Sequence, residues 1–210
     1  MLLLWFGTVS SQETYRFAAD VKTIKAFDAI YPPTDDPIVF VGSSSIRRWS
    51  GLQEVFGTFN VMNRGIGGAV TDEITHYLDE LVIDYAPRQV VIYVGENDLP
   101  DQTAEAIFEK TEVLFQAVRQ RLPEVPVAYI AIKPSPVREQ FVDKAREANR
   151  LIEALVEQDG NAVFVDVFSP MLTVDGKCRP ELFVSDMLHM NADGYAIWRE
   201  VIAPYLLPNE

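Results

Sequence analysis

The chain has 210 residues, 48% hydrophobic and 23% charged, without repeats or low-complexity tracts, which is the composition of a folded soluble domain rather than a disordered or fibrous chain. Its formal charge of -13 repels phosphate backbones and anionic bilayers, so nucleic acid is not expected as a partner. One cysteine, Cys178, and two histidines, His76 and His189, rule out an internal disulfide and a thiolate or histidine metal cluster, and no cofactor is expected.

Residues 1–12, MLLLWFGTVSSQ, combine a short apolar run with small residues but lack a preceding Lys or Arg. Two readings stay open: a truncated export signal, which implies a periplasmic or secreted protein, or an apolar arm on a cytoplasmic one. The run falls short of the about 20 apolar residues that span a bilayer, so stable membrane insertion is not expected. The remainder, 13–210, has the size of one domain.

From there short β-branched runs alternate with helical patterns. Strands are predicted at 37–41, 59–62, 89–94, 127–132 and 162–167, each bounded by Pro, Gly, Asn or Asp. Most are continuous apolar runs, as in strands covered on both faces. Between them, helical stripes run through Ile74, Tyr77, Leu78 and Leu81, through Ile107, Leu114, Phe115 and Val118, and through Phe141, Ala145, Ala148, Ile152 and Leu155. A last helix is predicted after Asn191, ending before Pro204. Strict alternation implies a parallel sheet with helices on both faces, a three-layer α/β/α sandwich, whose functional groups gather at the carboxyl ends of the strands.

The loops after the first three strands read Gly42-Ser43-Ser44-Ser45, Asn63-Arg64-Gly65-Ile66-Gly67-Gly68 and Gly95-Glu96-Asn97-Asp98. Meeting at one sheet edge, they offer hydroxyls, backbone N–H groups and a carboxamide, the groups needed to attack a carbonyl and stabilise an oxyanion. A serine nucleophile needs a base. His76 lies beside its apolar stripe and reads as a solvated helix residue, whereas His189 follows Asp186 by three residues in a predicted loop, where the carboxylate can orient the imidazole. Each piece also has an ordinary reading: Gly42-Ser43-Ser44-Ser45 as a capped turn, the glycines as a tight turn or anion nest, Asn97 as a cap for the helix near Thr103, and Asp186 as a cap for the last helix. It is their conjunction at one edge that points to chemistry.

These four segments, in this order between about Val39 and Tyr195, resemble the blocks of the SGNH hydrolase superfamily, also called GDSL esterases and lipases. Within it, NRGIGG and GEND are similar to the acylhydrolases related to the catalytic subunits of platelet-activating-factor acetylhydrolase and to bacterial esterases of this size. The resemblance implies a flavodoxin-like fold with five parallel strands. It also implies Ser44 as nucleophile, His189 as general base, Asp186 as its orienter, and an oxyanion hole built from the N–H groups of Ser44 and Gly68 and the side chain of Asn97. Two positions depart from the pattern: Ser43 stands where the family usually carries aspartate, and Met187 where many relatives carry glycine.

The expected substrate is a small-molecule ester of a short acyl group, with acetylated carbohydrate as one candidate. Leu99, Met187, Leu188 and Met190 flank the motifs and are candidates to line an acyl pocket, against the ordinary fate of core packing. Lys133 follows the fourth strand and is placed either at the rim or in solvent. A non-catalytic flavodoxin-like module binding phosphate or carbohydrate is the alternative from another class; a glycosidase using Glu96 and Asp98 is disfavoured because sequence neighbours cannot flank a glycosidic bond from opposite faces. No feature marks a subunit interface.

Overall fold

Five parallel strands, in the order β2-β1-β3-β4-β5, form the centre of the protein in the computed structural model, which describes residues 15–209. Residues 1–12 lie outside the described part. In chain order the elements are α1 (Ala18–Ile30), β1 (Ile38–Gly42), α2 (Ser44–Arg47), α3 (Leu52–Val55), β2 (Val61–Gly65), α4 (Thr71–His76), α5 (Leu78–Leu81), β3 (Gln89–Tyr93), α6 (Ala104–Arg121), β4 (Val127–Ile130), α7 (Val142–Glu157), β5 (Ala162–Val165) and α8 (Ala192–Ile202). Every residue of β1, β3 and β4 is buried, which is why these strands are continuous apolar runs rather than alternating ones. Helices cover both faces, giving the three-layer α/β/α architecture.

After β1 the chain goes to one side of the sheet to make β2, then returns across β1 to make β3. This reversal opens a crevice at the carboxyl ends of β1 and β3, the place where such sheets bind ligands. The register sharpens the point. Gly42 is the Cα partner of both Gly65 and Tyr93, so three strands end at one level and their loops leave the sheet together. Gly42 itself is demanded by space and backbone: φ is +145°, and a Cβ there would lie 1.8 Å from the carbonyl oxygen of Tyr93.

Several elements differ from their predicted bounds. The second strand begins at Val61 rather than 59, because Asn60 takes a left-handed turn (φ +46°), and it extends through polar Asn63 and Arg64, whose backbones still pair with β1. The stripe from Ile74 to Leu81 is buried as its period requires, but Tyr77 (φ -97°, ψ +21°) divides it into α4 and α5. The fourth and fifth strands stop two residues short of their predicted ends, at Ile130 and Val165. Helix α1 has no counterpart in the predicted elements. Val21 is its only fully buried residue and no side chain caps its start, so it carries neither a strong stripe nor a start signal. It is held instead by Asp28, which accepts from Arg64 at 2.6 Å and from the hydroxyl of Tyr85. No helix among the described residues is long and apolar enough to cross a membrane.

Just beyond β4 a side chain does the work of a strand. Asn149, on the buried stripe of α7, accepts from the Ile132 N–H (2.8 Å) and donates to the Ile132 carbonyl (2.9 Å). This satisfies both backbone groups where the ladder has ended and fixes the direction in which the next loop departs. Asn149→Ala should leave both groups buried and unpaired and lower the unfolding free energy by about 3 kcal/mol, measured by urea denaturation. Asn149→Asp should be at least as destabilising near neutral pH, since it sets a buried carboxylate oxygen against the Ile132 carbonyl, and should recover stability as pH falls and the carboxyl is protonated.

Candidate active site

The turn after β1 is tight. Ser43 donates its N–H to the Tyr93 carbonyl (3.0 Å), and Ser44 opens the single-turn helix α2. The N–H groups of Ser44 and Gly68 have no acceptor among the described residues. Gly68 has φ +82°, a left-handed conformation that glycine adopts without strain and that turns the chain towards α4. Glu73 accepts from the N–H of Val70 at 2.9 Å, closing the start of α4, and the carbonyl of Gly68 accepts from Arg16.

The loop from Val184 to Met190 carries Asp186 and His189. Asp186 Oδ1 accepts the N–H groups of Leu188 and His189, each at 2.9 Å, which winds the loop back on itself, while Oδ2 takes His189 Nδ1 at 2.7 Å. The His189 backbone N–H, followed by its imidazole, holds the Asp186 carboxyl well below the usual carboxylate range, so it is ionised throughout the neutral region. His189 Nε2 lies 3.1 Å from Ser44 Oγ. With Nδ1 bound to the carboxylate, the tautomer that follows has Nδ1 protonated and Nε2 free to accept from the serine hydroxyl. The bases of both pieces are tied together as well: Tyr195, on α8, donates its hydroxyl to the Ser45 carbonyl (2.9 Å), and Trp198 packs against Tyr93 and Trp49.

Ser44, Gly68, Asn97 and His189 line one cleft of about 460 Å³, and Arg47 and Arg48 flank it. Asn97 Nδ2 donates to the Ala69 carbonyl at 3.0 Å, and its Oδ1 accepts from Arg138 at 3.0 Å. The amide thus keeps one N–H beyond those bonds. Its neighbours in sequence are turned inward. Asp98, 2% exposed, accepts from the N–H and hydroxyl of Thr71 at 3.1 and 3.2 Å, fastening the glycine loop and α4 to the loop after β3; burial raises its pKa. Glu96, 3% exposed, meets Lys133 at 2.8 Å, Ser135 at 3.0 Å and the hydroxyl of Tyr93 at 2.8 Å. Neither acid is free to flank a glycosidic bond.

Several expectations are corrected here. Lys133 is neither at the rim nor in solvent: its side chain is wholly buried between Glu96 and the Leu188 carbonyl, 2.8 Å from each, and burial lowers its pKa while Glu96 pulls it up. Leu99 and Met190 are core residues, at 2% and 5% exposure, and Met187 is exposed and does not line the cleft. Of the four apolar candidates only Leu188 does so. Met187 has φ +56°, which accounts for the glycine that relatives carry there. The helix near Thr103 is capped by Thr103 itself, whose Oγ1 accepts from Ala106, and the last helix by Asn191, which accepts from Asp193 and Gly194. Ser43, in place of the family aspartate, has a buried hydroxyl without a partner among the described residues. Arg138 escaped the sequence reading altogether, because nothing local in PSPVR marks a side chain that folds back onto a loop 41 residues earlier.

Comparisons with known proteins bear on the family and the fold. The sequence profile of the GDSL-like lipase/acylhydrolase family matches residues 35–197. The human platelet-activating factor acetylhydrolase IB subunit alpha1 is 27% identical over 190 residues, covering 86% of this chain and 75% of that protein. Among solved structures, a GDSL-like lipase from Bacteroides thetaiotaomicron superposes with a TM-score of 0.75 at 22% identity, covering 90% of this chain and 97% of the other. A carbohydrate esterase family 3 protein from Talaromyces cellulolyticus does so with a TM-score of 0.66 at 17% identity, covering 82% and 96%. The chain therefore belongs to the GDSL-like lipase/acylhydrolase family and is a serine esterase of that type.

Proposed function

We propose that the protein hydrolyses esters of short acyl groups through an acyl-enzyme on Ser44, with His189 as base and then acid and Asp186 as its orienter. The observation that carries this reading is the continuous line from Asp186 Oδ2 through both nitrogens of His189 to Ser44 Oγ, with contacts of 2.7 and 3.1 Å. Ser44 attacks the ester carbonyl as its proton passes to Nε2 of His189. The oxyanion is met by the N–H groups of Ser44 and Gly68 and the remaining amide N–H of Asn97. The alcohol departs with the proton from His189, and water repeats the sequence on the acyl-enzyme.

The acyl preference follows from what lines the cleft. Leu188 is its single large apolar side chain, so a long hydrocarbon chain would leave most of its surface in water. On the alcohol side, a groove of about 510 Å³ between α1 and the end of β2 adjoins through Arg47 and includes Asp20 and Thr23. Such polar partners suit a hydroxyl-bearing alcohol, and acetylated carbohydrate is the substrate class we favour. The carbohydrate esterase of similar fold is consistent with that choice.

Hydrolysis of p-nitrophenyl esters should be fastest for acetyl and fall steadily with acyl length; a preference for long chains would overturn the substrate assignment. Ser44→Ala should lose at least about a thousandfold in kcat and all labelling by a serine-directed organophosphonate. Unchanged turnover in that variant would overturn the acyl-enzyme, and binding without turnover by wild type would favour a phosphate- or carbohydrate-binding module. Asn97→Ala should lower kcat by about a hundredfold with little change in KM; equal turnover would remove Asn97 from the oxyanion hole.

A further inference from the structure

We propose that Glu96 and the two cations it gathers, Lys133 and Arg138, are positioning residues that align the oxyanion donor Asn97 with the loop carrying His189. The inference rests on the reading of Ser44 as nucleophile. Lys133 has a fully buried side chain, Glu96 is nearly so, and neither lines the cleft. A buried ion pair is weak evidence for stability, since apolar side chains of similar volume commonly replace such a pair at no loss. What each group does with the rest of its bonding capacity is more telling.

Arg138 sends Nη1 to the Glu96 carbonyl at 2.9 Å, 3.4 Å from the Glu96 carboxylate, and Nη2 to Asn97 Oδ1 at 3.0 Å. A guanidinium only donates, so it fixes which end of the Asn97 amide is oxygen and commits the NH2 group to the Ala69 carbonyl and the cleft. The guanidinium charge of Arg138 beside Oδ1 also draws electron density from the amide and strengthens its N–H as a donor to an oxyanion. Lys133 makes the matching contact on the other side. Its Nζ donates to the Leu188 carbonyl at 2.8 Å, the peptide immediately before His189. Glu96 Oε1 accepts from Lys133 and Ser135 while Oε2 accepts from Tyr93, so the carboxylate joining the cations is itself anchored to the end of β3. The two halves of the catalytic apparatus are thereby referenced to one carboxylate.

The test is a double-mutant cycle read in kcat for p-nitrophenyl acetate. Arg138→Met should lower kcat about tenfold to a hundredfold with KM within about twofold, the size expected when a reacting group is displaced by a fraction of an ångström to about 1 Å. In an Asn97→Ala background the same substitution should change kcat little, since Arg138 acts through Asn97. Arg138→Lys, which can reach one acceptor but not both in the fork geometry, should restore part of the loss. For the buried pair, the joint replacement Glu96→Met with Lys133→Met removes both charges together. Because it also strips the Tyr93 and Ser135 hydroxyls of their acceptor and the Leu188 carbonyl of its donor, it should lower the urea midpoint, and the folded protein, assayed well below that midpoint, should lose kcat by about tenfold or more. Additive losses for Arg138 and Asn97, or a joint variant as active as wild type, would overturn the proposal. Wild-type turnover in Ser44→Ala would instead overturn the nucleophile assignment, and the brace with it, so the two failures are told apart by one variant.

Discussion

The structure depends on one constraint of register: in a parallel sheet wound from the middle outward, neighbouring strands whose Cα partners coincide at their last residues must release their loops at the same height. Gly42, Gly65 and Tyr93 meet that condition. The serine turn, the glycine loop and the GEND loop are thereby stacked along the crevice between β1 and β3 before any side chain makes a contact. Residues separated by 145 positions, Ser44 and His189, then need only a short loop and a well-anchored final helix to come within hydrogen-bonding distance. Glycine at position 42 is what the condition costs, because no side chain fits between the end of β1 and the backbone of Tyr93.

Within that frame the polar residues of the GEND loop divide their labour by direction. The chain turns tightly here, with the Asp98 N–H donating to the Gly95 carbonyl at 3.1 Å, and the carboxylates of Glu96 and Asp98 face inward while the amide between them faces the cleft. Asp98 secures the side towards β2 through Thr71, and Glu96 the side towards β4 through Lys133 and Ser135. Each carboxylate thus draws its donors from neighbouring loops: Glu96 uses both oxygens, whereas Asp98 takes both Thr71 bonds on Oδ2 and its buried Oδ1 accepts none among the described residues. The loops are consequently ordered together rather than one at a time.

The elements legible in the sequence were those whose signals are local. Continuous apolar runs marked β1, β3 and β4 because burial on both faces removes any need for polar alternation, whereas β2 runs on into Asn63 and Arg64 past its apolar start. The serine turn, the glycine loop, Asn97 and the Asp186–His189 pair stood out because each joins a special backbone demand to a reactive group at a strand end. What escaped was tertiary. Helix α1 has too little buried surface to print a stripe, and the kink at Tyr77 leaves the apolar period intact, so neither could be seen. Lys133 looked like a solvated loop residue because its partners, Glu96 and Leu188, are 37 and 55 positions away. Leu99 and Met190 are pocket candidates only through their nearness to the motifs, and since proximity in sequence says nothing about which way a side chain turns, core packing was the commoner alternative; both lie in the core.

The lone thiol gives the fold one more property. Cys178 is buried, and burial, with the nearby Glu139 carboxylate, pushes its pKa up to about 11, so it is protonated and shielded at neutral pH. With no second cysteine in the chain, the protein has no internal disulfide to form or break. The positions of Ser44, Asp186 and His189 therefore owe nothing to a covalent cross-link within the chain, and non-covalent packing alone holds them together.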